Sequence, residues 1–240
     1  MASQDRLINP LDKVKTGWGG IQDLRKSPLV DLAYEDDEIV IVNKESGVPV
    51  HPGYGQSEGQ SLIEKVWMIM QIHPDARFKP QLVHRLDKGT SGLIVIALSG
   101  RGLKAWNERF RDRRLTKKYL ALVLGCIEQD RGTIELDLER HDTQRGGAKM
   151  KVASHSDLNE STDKNSQASL THYKVLKRYD FSQELNCTLV EVSLGTGRMH
   201  QIRAHFEHIG HPLVGDDRYG VFDMNKRYRK EFGLKRLFLH

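Results

Sequence analysis

The sequence predicts an α+β fold in which a mixed, mainly antiparallel sheet is flanked by helices. Residues 133–138 (TIELDL) and 171–179 (THYKVLKRY) alternate between apolar and polar side chains, as half-buried antiparallel strands do. Residues 61–72 (SLIEKVWMIMQI) carry apolar residues at helical spacing. A chain of 240 residues with 38% hydrophobic content can bury a substantial core. We therefore expect one large domain.

The first hundred residues contain a polar arm followed by a strand-rich region. Residues 1–28 lack strong periodicity and predict an arm with little stability of its own. From Leu32 onward the pattern is sharper. In chain order it predicts an acidic turn and a strand in 34–44, a Gly- and Pro-rich loop in 46–56, the helix in 61–72, a linker in 75–79, a short strand that begins at 82 and a core strand at 93–98.

The rest of the chain alternates between helices and strands. Residues 101–113 predict a helix whose Leu103, Trp106 and Phe110 share one face and are expected in the core. Further strands are predicted at 117–125, 133–138, 171–179 and 185–194, with a helix at 200–208. Residues 142–169 are rich in Ser, Asn, Asp, Lys and Gly, which predicts a long flexible insertion.

The charge of the chain favours a polyanionic partner. The net charge is +5 and the isoelectric point is about 9.1. Two clusters are strongly basic: residues 101–118 hold eight basic and two acidic residues, and residues 224–236 hold six basic residues and one acidic residue. A charged helix face is often only solvated, so charge alone leaves nucleic-acid binding and solvation about equally open.

The cysteines and the apolar segments bear on the cellular compartment. Cys126 and Cys187 both lie in apolar, strand-like runs, which predicts two buried packing thiols in a reducing compartment. The first thirty residues contain no apolar segment of the secretory type, and no stretch has the length of a membrane span. We therefore expect a cytoplasmic protein, with a monomer as the default and no obligatory protein partner.

Residues 84–92 (HRLDKGTSG) are the most informative segment of the chain. Asp87 stands between a basic pair and a turn-forming cluster, and an apolar strand follows directly. A carboxylate on a loop held by a rigid strand is a usual arrangement for a catalytic group. Read alone, the Asp of a D-x-G-T segment is more often the cap of a turn than a catalytic group.

The whole nonamer resembles the signature of the RluA-type pseudouridine synthases, which has the form HRLDxxTSG and contains the catalytic aspartate. Four more blocks of that family resemble segments between Leu32 and His240, in the same order. The pattern is most similar to that of the bacterial large-subunit rRNA enzymes. The resemblance implies the pseudouridine synthase fold with a central RNA-binding cleft, and isomerisation of uridines in structured RNA, either rRNA or tRNA, without a metal or an organic cofactor.

The resemblance assigns catalytic roles to three residues. It implies that Asp87 is the catalytic carboxylate, that Tyr119 in the KKY block lies over the base and takes part in proton transfer, and that Arg198 in the block GRMHQIR is the partner of the aspartate. A guanidinium could hold one carboxylate oxygen and leave the other free to react. Without the resemblance, Tyr119 reads as an amphipathic core residue and Arg198 as a surface ion pair.

The expected RNA- or substrate-binding residues are His84, Arg85, Lys44, Lys118, His200 and Leu239. Among these, the resemblance implies that Arg85 fills the gap left by the flipped base and that Leu239 lies beneath that base. It also implies that Lys44 supports the cleft, although a solvated lysine at a strand end is an equal alternative. Leu239 also reads as an ordinary packing residue.

Two other functions stay open on the sequence. A metal-dependent hydrolase is one, because His205 and His208 share a helix face and His84 or His51 could complete a site, although no HExxH motif accompanies them. A non-catalytic RNA-binding protein or RNA chaperone on the same fold is the other.

The chain departs from the family pattern at both ends. Many relatives carry an N-terminal RNA-binding module of the S4 type, and the segment before Leu32 is too short for a complete one. Relatives also continue past the block that here ends at His240. We therefore expect a catalytic domain over 29–240 that is truncated at its C-terminus.

Overall fold

The computed structural model describes residues 21–53, 58–73, 75–142, 148–153, 166–181 and 185–240. The chain divides into two compact units, Met1–Leu115 and Thr116–His240. Most of the predicted N-terminal arm lies outside the described residues. The single catalytic domain over 29–240 stays a prediction.

The first unit is built on a four-stranded antiparallel sheet. Its strands are β1 (Asp31–Glu35), β2 (Ile39–Lys44), β3 (Gln81–Leu82) and β4 (Gly92–Ala97), in the order β1-β2-β4-β3. Its helices are α1 (Ile21–Lys26), α2 (Leu62–Ile69) and α3 (Gly100–Arg111). The strands predicted in 34–44 and 93–98 are confirmed. The alternation of β4 is weak because it is buried along most of its length.

The predicted helix in 61–72 is confirmed as α2, and its start follows from a capping box. The Ser61 hydroxyl accepts the Glu64 backbone amide, and the Glu64 carboxylate accepts the Ser61 amide at 3.0 Å. Leu62, Ile63 and Val66 then turn one face into the core. The cap and the apolar face therefore specify the same helix.

The predicted helix at 101–113 is confirmed as α3, but its expected core face is wrong. Leu103, Trp106 and Phe110 are only half-buried. Phe110 stacks on the His84 ring at 4.8 Å, so this face covers a loop of the unit and does not enter the core. The close approach of α3 is instead made at Gly102, where a Cβ atom would lie 2.5 Å from the Glu38 carbonyl oxygen.

The second unit is built on a five-stranded antiparallel sheet. Its strands are β5 (Lys117–Leu124), β6 (Arg131–Asp142), β7 (Ala148–Val152), β8 (Gln167–Asp180) and β9 (Asn186–Leu194), in the order β5-β9-β8-β6-β7. Its helices are α4 (Gln201–His208) and α5 (Phe222–Phe232). The strands predicted at 117–125, 133–138, 171–179 and 185–194 and the helix at 200–208 are confirmed.

The flexible insertion predicted for 142–169 needs a correction. Residues 148–152 form β7, which pairs with β6, and β8 begins at Gln167. Met150 is buried on this edge strand, which explains why a segment of polar composition still joins the sheet. Residues 143–147 and 154–165 of the predicted insertion lie outside the described residues.

The two helices of this unit pack on opposite faces of its sheet. Ile202 and Phe206 of α4 join the buried cluster that contains Val190 and Val192. Tyr228 of α5 joins a second cluster that contains Cys187. Successive side chains of a strand point to opposite faces of the sheet. Cys187 and Val190 are three residues apart on β9, so they lie on opposite faces. We call these faces the α4 face and the α5 face.

The prediction of two buried thiols is correct for Cys187 and wrong for Cys126. Cys187 is buried on the α5 face, whereas Cys126 is exposed. Cys126 follows Gly125, which adopts a φ of +79° just past the end of β5. The chain leaves the sheet at this turn, so the apolar run no longer implies burial. Both thiols are free.

We found no helix among the described ranges with the length and hydropathy that crossing a membrane requires. The α+β class with mainly antiparallel sheets and flanking helices is confirmed.

A buried histidine makes the second unit sensitive to acid. His205 is fully buried, its Nε2 lies 2.6 Å from the Ser169 hydroxyl, and its Nδ1 has no partner. Burial, with a smaller contribution from His208, lowers the pKa of His205 to about 4.

We expect the free energy of unfolding to fall as the pH is lowered from about 6.5 to about 4, because the unfolded chain takes up a proton that the folded chain excludes. Urea titrations across this range would measure the slope. His205→Gln should flatten it, and His141→Gln, at an exposed position, should not. Equal slopes for the wild type and His205→Gln would contradict the assignment.

Candidate active site

The signature loop of the first unit is a closed turn that displays Asp87. The Asp87 carbonyl accepts the Thr90 backbone amide at 3.1 Å, and Asp87 itself is half-buried. Thr90 and Ser91 are buried, and β4 begins at Gly92 with a φ of +127°. The turn is therefore fixed at its base, while the carboxylate stands where the chain enters the core strand.

A buried lysine ties this loop to the end of β2. The Lys44 side chain is only 1% exposed, and its Nζ donates to the carbonyl oxygens of Glu45 at 2.8 Å, Val48 at 2.8 Å and Lys88 at 3.2 Å. Two further bonds join the same segments: the Gly47 amide donates to the Lys88 carbonyl at 2.7 Å, and the Ser46 hydroxyl donates to the Gly89 carbonyl at 2.6 Å. We call this arrangement the Lys44 brace.

The brace places a cation beside the catalytic candidate. Burial lowers the pKa of Lys44 to about 8, and the charge of Asp87 opposes that shift. The ammonium and the carboxylate therefore interact. The Lys44 ammonium donates to three carbonyl oxygens inside the unit, and its role toward the RNA stays a prediction. The alternative of a solvated lysine at a strand end is wrong, because the side chain is buried.

His84 and Arg85 differ in what they can reach. The His84 Nε2 accepts the Val95 backbone amide at 3.1 Å and the ring stacks on Phe110, so this residue fastens the loop to β4. Arg85 is exposed. Burial lowers the pKa of the nearby His51 imidazole, and the charge of Arg85 lowers it further. A base-replacing role for Arg85 stays a prediction, and His84 is better described as a support.

In the second unit, strand register separates Tyr119 from its neighbour Lys118. Tyr119 pairs with Val192 and packs, half-buried, against the cluster of the α4 face. Lys118 points to the α5 face, where its Nζ forms an ion pair with Glu191 at 3.0 Å. Adjacent strand residues cannot share a face. If Tyr119 acts on a base, Lys118 is on the wrong side of the sheet to bind beside it.

Arg198 lies in a turn that a buried glutamine organises. The Gln201 Oε1 accepts the Arg198 amide at 3.0 Å and the Thr196 hydroxyl at 2.7 Å, and its Nε2 donates to the Leu170 carbonyl and the Thr171 hydroxyl, both at 2.9 Å. The Arg198 side chain is exposed, and its Nε donates to the Ala168 carbonyl at 3.2 Å. Gln201 was not predicted as a site residue, although it lies in the same block as Arg198.

His200 is held by a second network behind this turn. It adopts a φ of +53°, and its Nδ1 lies 2.9 Å from the Tyr219 hydroxyl, which also accepts the Met150 amide at 2.7 Å. The Arg203 guanidinium lies over the Tyr219 ring and pairs with Asp216 at 2.7 and 2.9 Å. His200 is half-buried, and its substrate-binding role stays a prediction.

The Asp216 carboxylate is ionised although it is buried. Burial disfavours its charge, but Arg203 and the backbone amides of Arg218 and Tyr219 outweigh burial and hold its pKa below the usual value. The pair therefore fastens α4, which follows the Arg198 turn, to the segment that carries Tyr219.

Leu239 packs inside the second unit. It is 4% exposed, bridges to Ala121 of β5 and joins the same cluster as Tyr119. Backbone bonds of 2.7 and 2.9 Å between Leu120 and His240 hold this last segment to β5. Leu239 therefore supports the face on which Tyr119 lies, and contact with a base stays a prediction.

The metal-site alternative has no support in the described part of the chain. No group of three or more His, Cys, Asp or Glu side chains is close enough there to hold an ion. His205 is fully buried against Ser169, whereas His208 is exposed. The two histidines therefore do not present their rings to a common site.

The Lys44 brace predicts a large loss of stability on truncation. Lys44→Met should lower the free energy of unfolding by about 3 kcal/mol, since three carbonyl oxygens lose the ammonium as a donor. Within the described residues, only the Lys88 carbonyl keeps another donor, the Gly47 amide. Urea unfolding at pH 7 would measure this loss. Lys88→Met is the matched control, because its side chain is exposed in the same loop. A change below about 1 kcal/mol for Lys44→Met would contradict the brace.

Curated bacterial proteins resemble the chain over most of its length. It is 38% identical over 210 residues to ribosomal large subunit pseudouridine synthase C of Escherichia coli (strain K12) and 39% identical over 210 residues to the protein of that name from Salmonella typhi. Each match covers 87% of this chain and 59% of the relative. The chain thus spans about three fifths of the length of these relatives.

Two solved human structures share the fold. Human RNA Pseudouridylate Synthase Domain Containing 1 matches with a TM-score of 0.68 and 27% identity, over 88% of this chain and 76% of that one. Human RNA Pseudouridylate Synthase Domain Containing 4 matches with a TM-score of 0.65 and 25% identity, over 91% and 83%.

A family model described as RNA pseudouridylate synthase matches residues 38–208, a range that begins in the first unit and includes Asp87, Tyr119 and Arg198. The resemblance read from the signature is confirmed: the chain belongs to the RNA pseudouridylate synthase family.

Proposed function

We propose that this chain is the catalytic part of an RNA pseudouridine synthase, with Asp87 as its catalytic carboxylate. The observation that carries the proposal is the signature turn, which is fixed by β4 and by the Lys44 brace and which displays a carboxylate beside a buried cation.

The substrate class that we propose is the RNA of the large ribosomal subunit. The names of the bacterial relatives support rRNA over tRNA, and the basic balance of the chain fits a polyanion. Two free thiols, one of them exposed, fit the reducing cytoplasm in which such an RNA would be met.

The reaction is an isomerisation, so its atoms balance without a co-reactant. The bond between N1 and C1′ of the uridine breaks, the uracil rotates, and a bond forms between C5 and C1′. C5 loses a proton and N1 gains one. We assign Asp87 to stabilising or trapping the separated sugar or base, and Tyr119 to the proton transfer. The pairing of Asp87 with Arg198 stays a prediction from the sequence.

The target uridine must leave its stack before Asp87 can reach it. Flipping costs a few kcal/mol and costs least in loops and distorted helices, so structured rRNA with unpaired segments is a suitable substrate. The rigidity of the signature turn matters here, because a carboxylate that is already in place adds no ordering cost to that of flipping.

Asp87→Asn should abolish pseudouridine formation while RNA binding stays within about twofold, because the amide is neutral and is a poor nucleophile. Pseudouridine mapping of large-subunit rRNA, from cells that lack the gene and carry either the wild type or the variant, would measure turnover. Asp37→Asn, at an exposed turn of the same unit, is the control.

A site restored by the wild type and by Asp37→Asn but not by Asp87→Asn supports the proposal. A site that Asp87→Asn also restores would remove Asp87 from the chemistry. If the mapping finds no pseudouridine that depends on the wild-type protein, and RNA binding is intact, the RNA-binding or chaperone alternative is favoured.

Arg198→Lys should lower kcat by at least about tenfold with a smaller change in KM, because an ammonium cannot reproduce the planar fork of the guanidinium. Single-turnover and steady-state assays on an rRNA fragment would separate the two constants. Arg140→Lys, at an exposed position of β6, is the matched control. Normal turnover by Arg198→Lys would show that its fork does not act in the reaction.

A further inference from the structure

The α5 face of the second unit carries an aromatic cluster that the proposed chemistry does not use. Its rings are Tyr179, Phe181, Phe232 and Tyr228. Tyr179 and Phe181 are nearly parallel with centroids 5.6 Å apart, Phe181 lies 4.6 Å from Phe232, and Phe232 lies 5.6 Å from Tyr228. Tyr228 is buried, but Phe181 is 50% and Phe232 is 46% exposed. We call Tyr179, Phe181 and Phe232 the aromatic platform.

A β-bulge in β8 builds this platform. Val175 pairs with Val190 and Lys177 pairs with Leu189, so Leu176 is an extra residue in the ladder. Before the bulge, Tyr173 and Val175 pack on the α4 face. After it, Tyr179 pairs with Cys187 and packs with the buried cluster of the α5 face. The extra residue therefore moves the odd-numbered side chains from one face to the other.

The platform is framed by cations. The Lys177 Nζ lies 4.9 Å above the Tyr179 ring centroid. Arg229 is exposed and lies three residues before Phe232 on α5, so the two share a side of the helix. Lys230 is also exposed, but it lies two residues before Phe232 and faces away from that ring. Two acidic residues lie nearby. Glu231 is 3.8 Å from Arg227, and Asp180 is the one acidic residue in the C-terminal half of β8. The local balance is positive.

We propose that the aromatic platform binds a single-stranded segment of RNA by stacking bases on Phe181 and Phe232 while Arg229 contacts its phosphates. The proposal rests on the proposed function, since it assigns the platform to the RNA that carries the target uridine. Half-exposed rings beside a basic helix face are the arrangement that binds single strands without sequence preference. The platform lies on the opposite face of the sheet from Tyr119.

The alternative occupant is an apolar protein surface, and the charges argue against it. Protein interfaces concentrate apolar area at their centre and are depleted in lysine, whereas here two half-exposed rings stand among several cations. A base offers a flat ring for stacking and a phosphate for the cation at the same time. The platform therefore fits a nucleotide chain better than a protein.

Binding of a fluorescent twelve-nucleotide oligoadenylate, measured by anisotropy, tests the proposal. This probe contains no uridine, so it cannot report on the uridine site. The double variant Phe181→Leu and Phe232→Leu keeps apolar volume but removes the π faces. We expect it to weaken binding at least about tenfold, since stacking is worth roughly 1–3 kcal/mol per base. Phe222→Leu is the matched control, because Phe222 is 80% exposed at the other end of α5.

The charges have their own readout in the same assay. The variant Arg229→Gln should reduce the slope of log affinity against log salt by about 0.7, since each single-strand phosphate contact contributes roughly that amount. Circular dichroism would check that the leucine double variant and Arg229→Gln remain folded.

The outcomes separate this proposal from the proposed function. Weaker binding in the leucine double variant, with Phe222→Leu and Asp87→Asn equal to the wild type, supports the platform. Binding unchanged in the leucine double variant overturns it, as does a loss of self-association without a change in oligoadenylate binding, which would assign the rings to a protein interface. A failure of pseudouridine formation with intact, platform-dependent binding would overturn only the catalytic assignment.

Discussion

The interaction on which the first unit depends is the burial of the Lys44 ammonium among three carbonyl oxygens. Burying a cation is costly, and these carbonyl dipoles and the nearby Asp87 carboxylate offset that cost. The arrangement joins two segments that are 44 residues apart in the chain. It ties the turn that displays Asp87 to the end of β2. The same lysine therefore holds the backbone of the loop and places a positive charge where it interacts with the Asp87 carboxylate.

The second unit depends on the parity of its strands. Because α4 and α5 pack on opposite faces of the sheet, each step of one residue along β5 or β9 changes the face on which a side chain lies. This parity puts Tyr119 on the face of α4, near whose start the Arg198 turn lies, and puts Lys118 with Glu191 on the other face. The function of a residue in such a sheet follows from its register as much as from its chemical type.

The sequence predicted the strands and helices with strong periodicity, and the nonamer around Asp87 predicted the family. It did not predict that Lys44 is buried, because a lysine at the end of a strand normally reaches solvent, and only the distant Lys88 carbonyl shows otherwise. It missed β7 because polar composition outweighed the pairing available at the edge of β6. The face of Lys118 also could not be predicted, since it depends on a register between strands about seventy residues apart.

The bulge at Leu176 has a consequence for how this chain tolerates changes in length. Because of the extra residue, the odd-numbered side chains in the first part of β8 face the α4 side of the sheet, and those in the second part face the α5 side. Removing one residue there would restore a regular ladder, turn Tyr179 away from Cys187 and present polar neighbours to the buried side. Elsewhere on the surface a single-residue deletion is often harmless. Here one apolar residue without a ladder partner keeps two hydrophobic cores on a single strand.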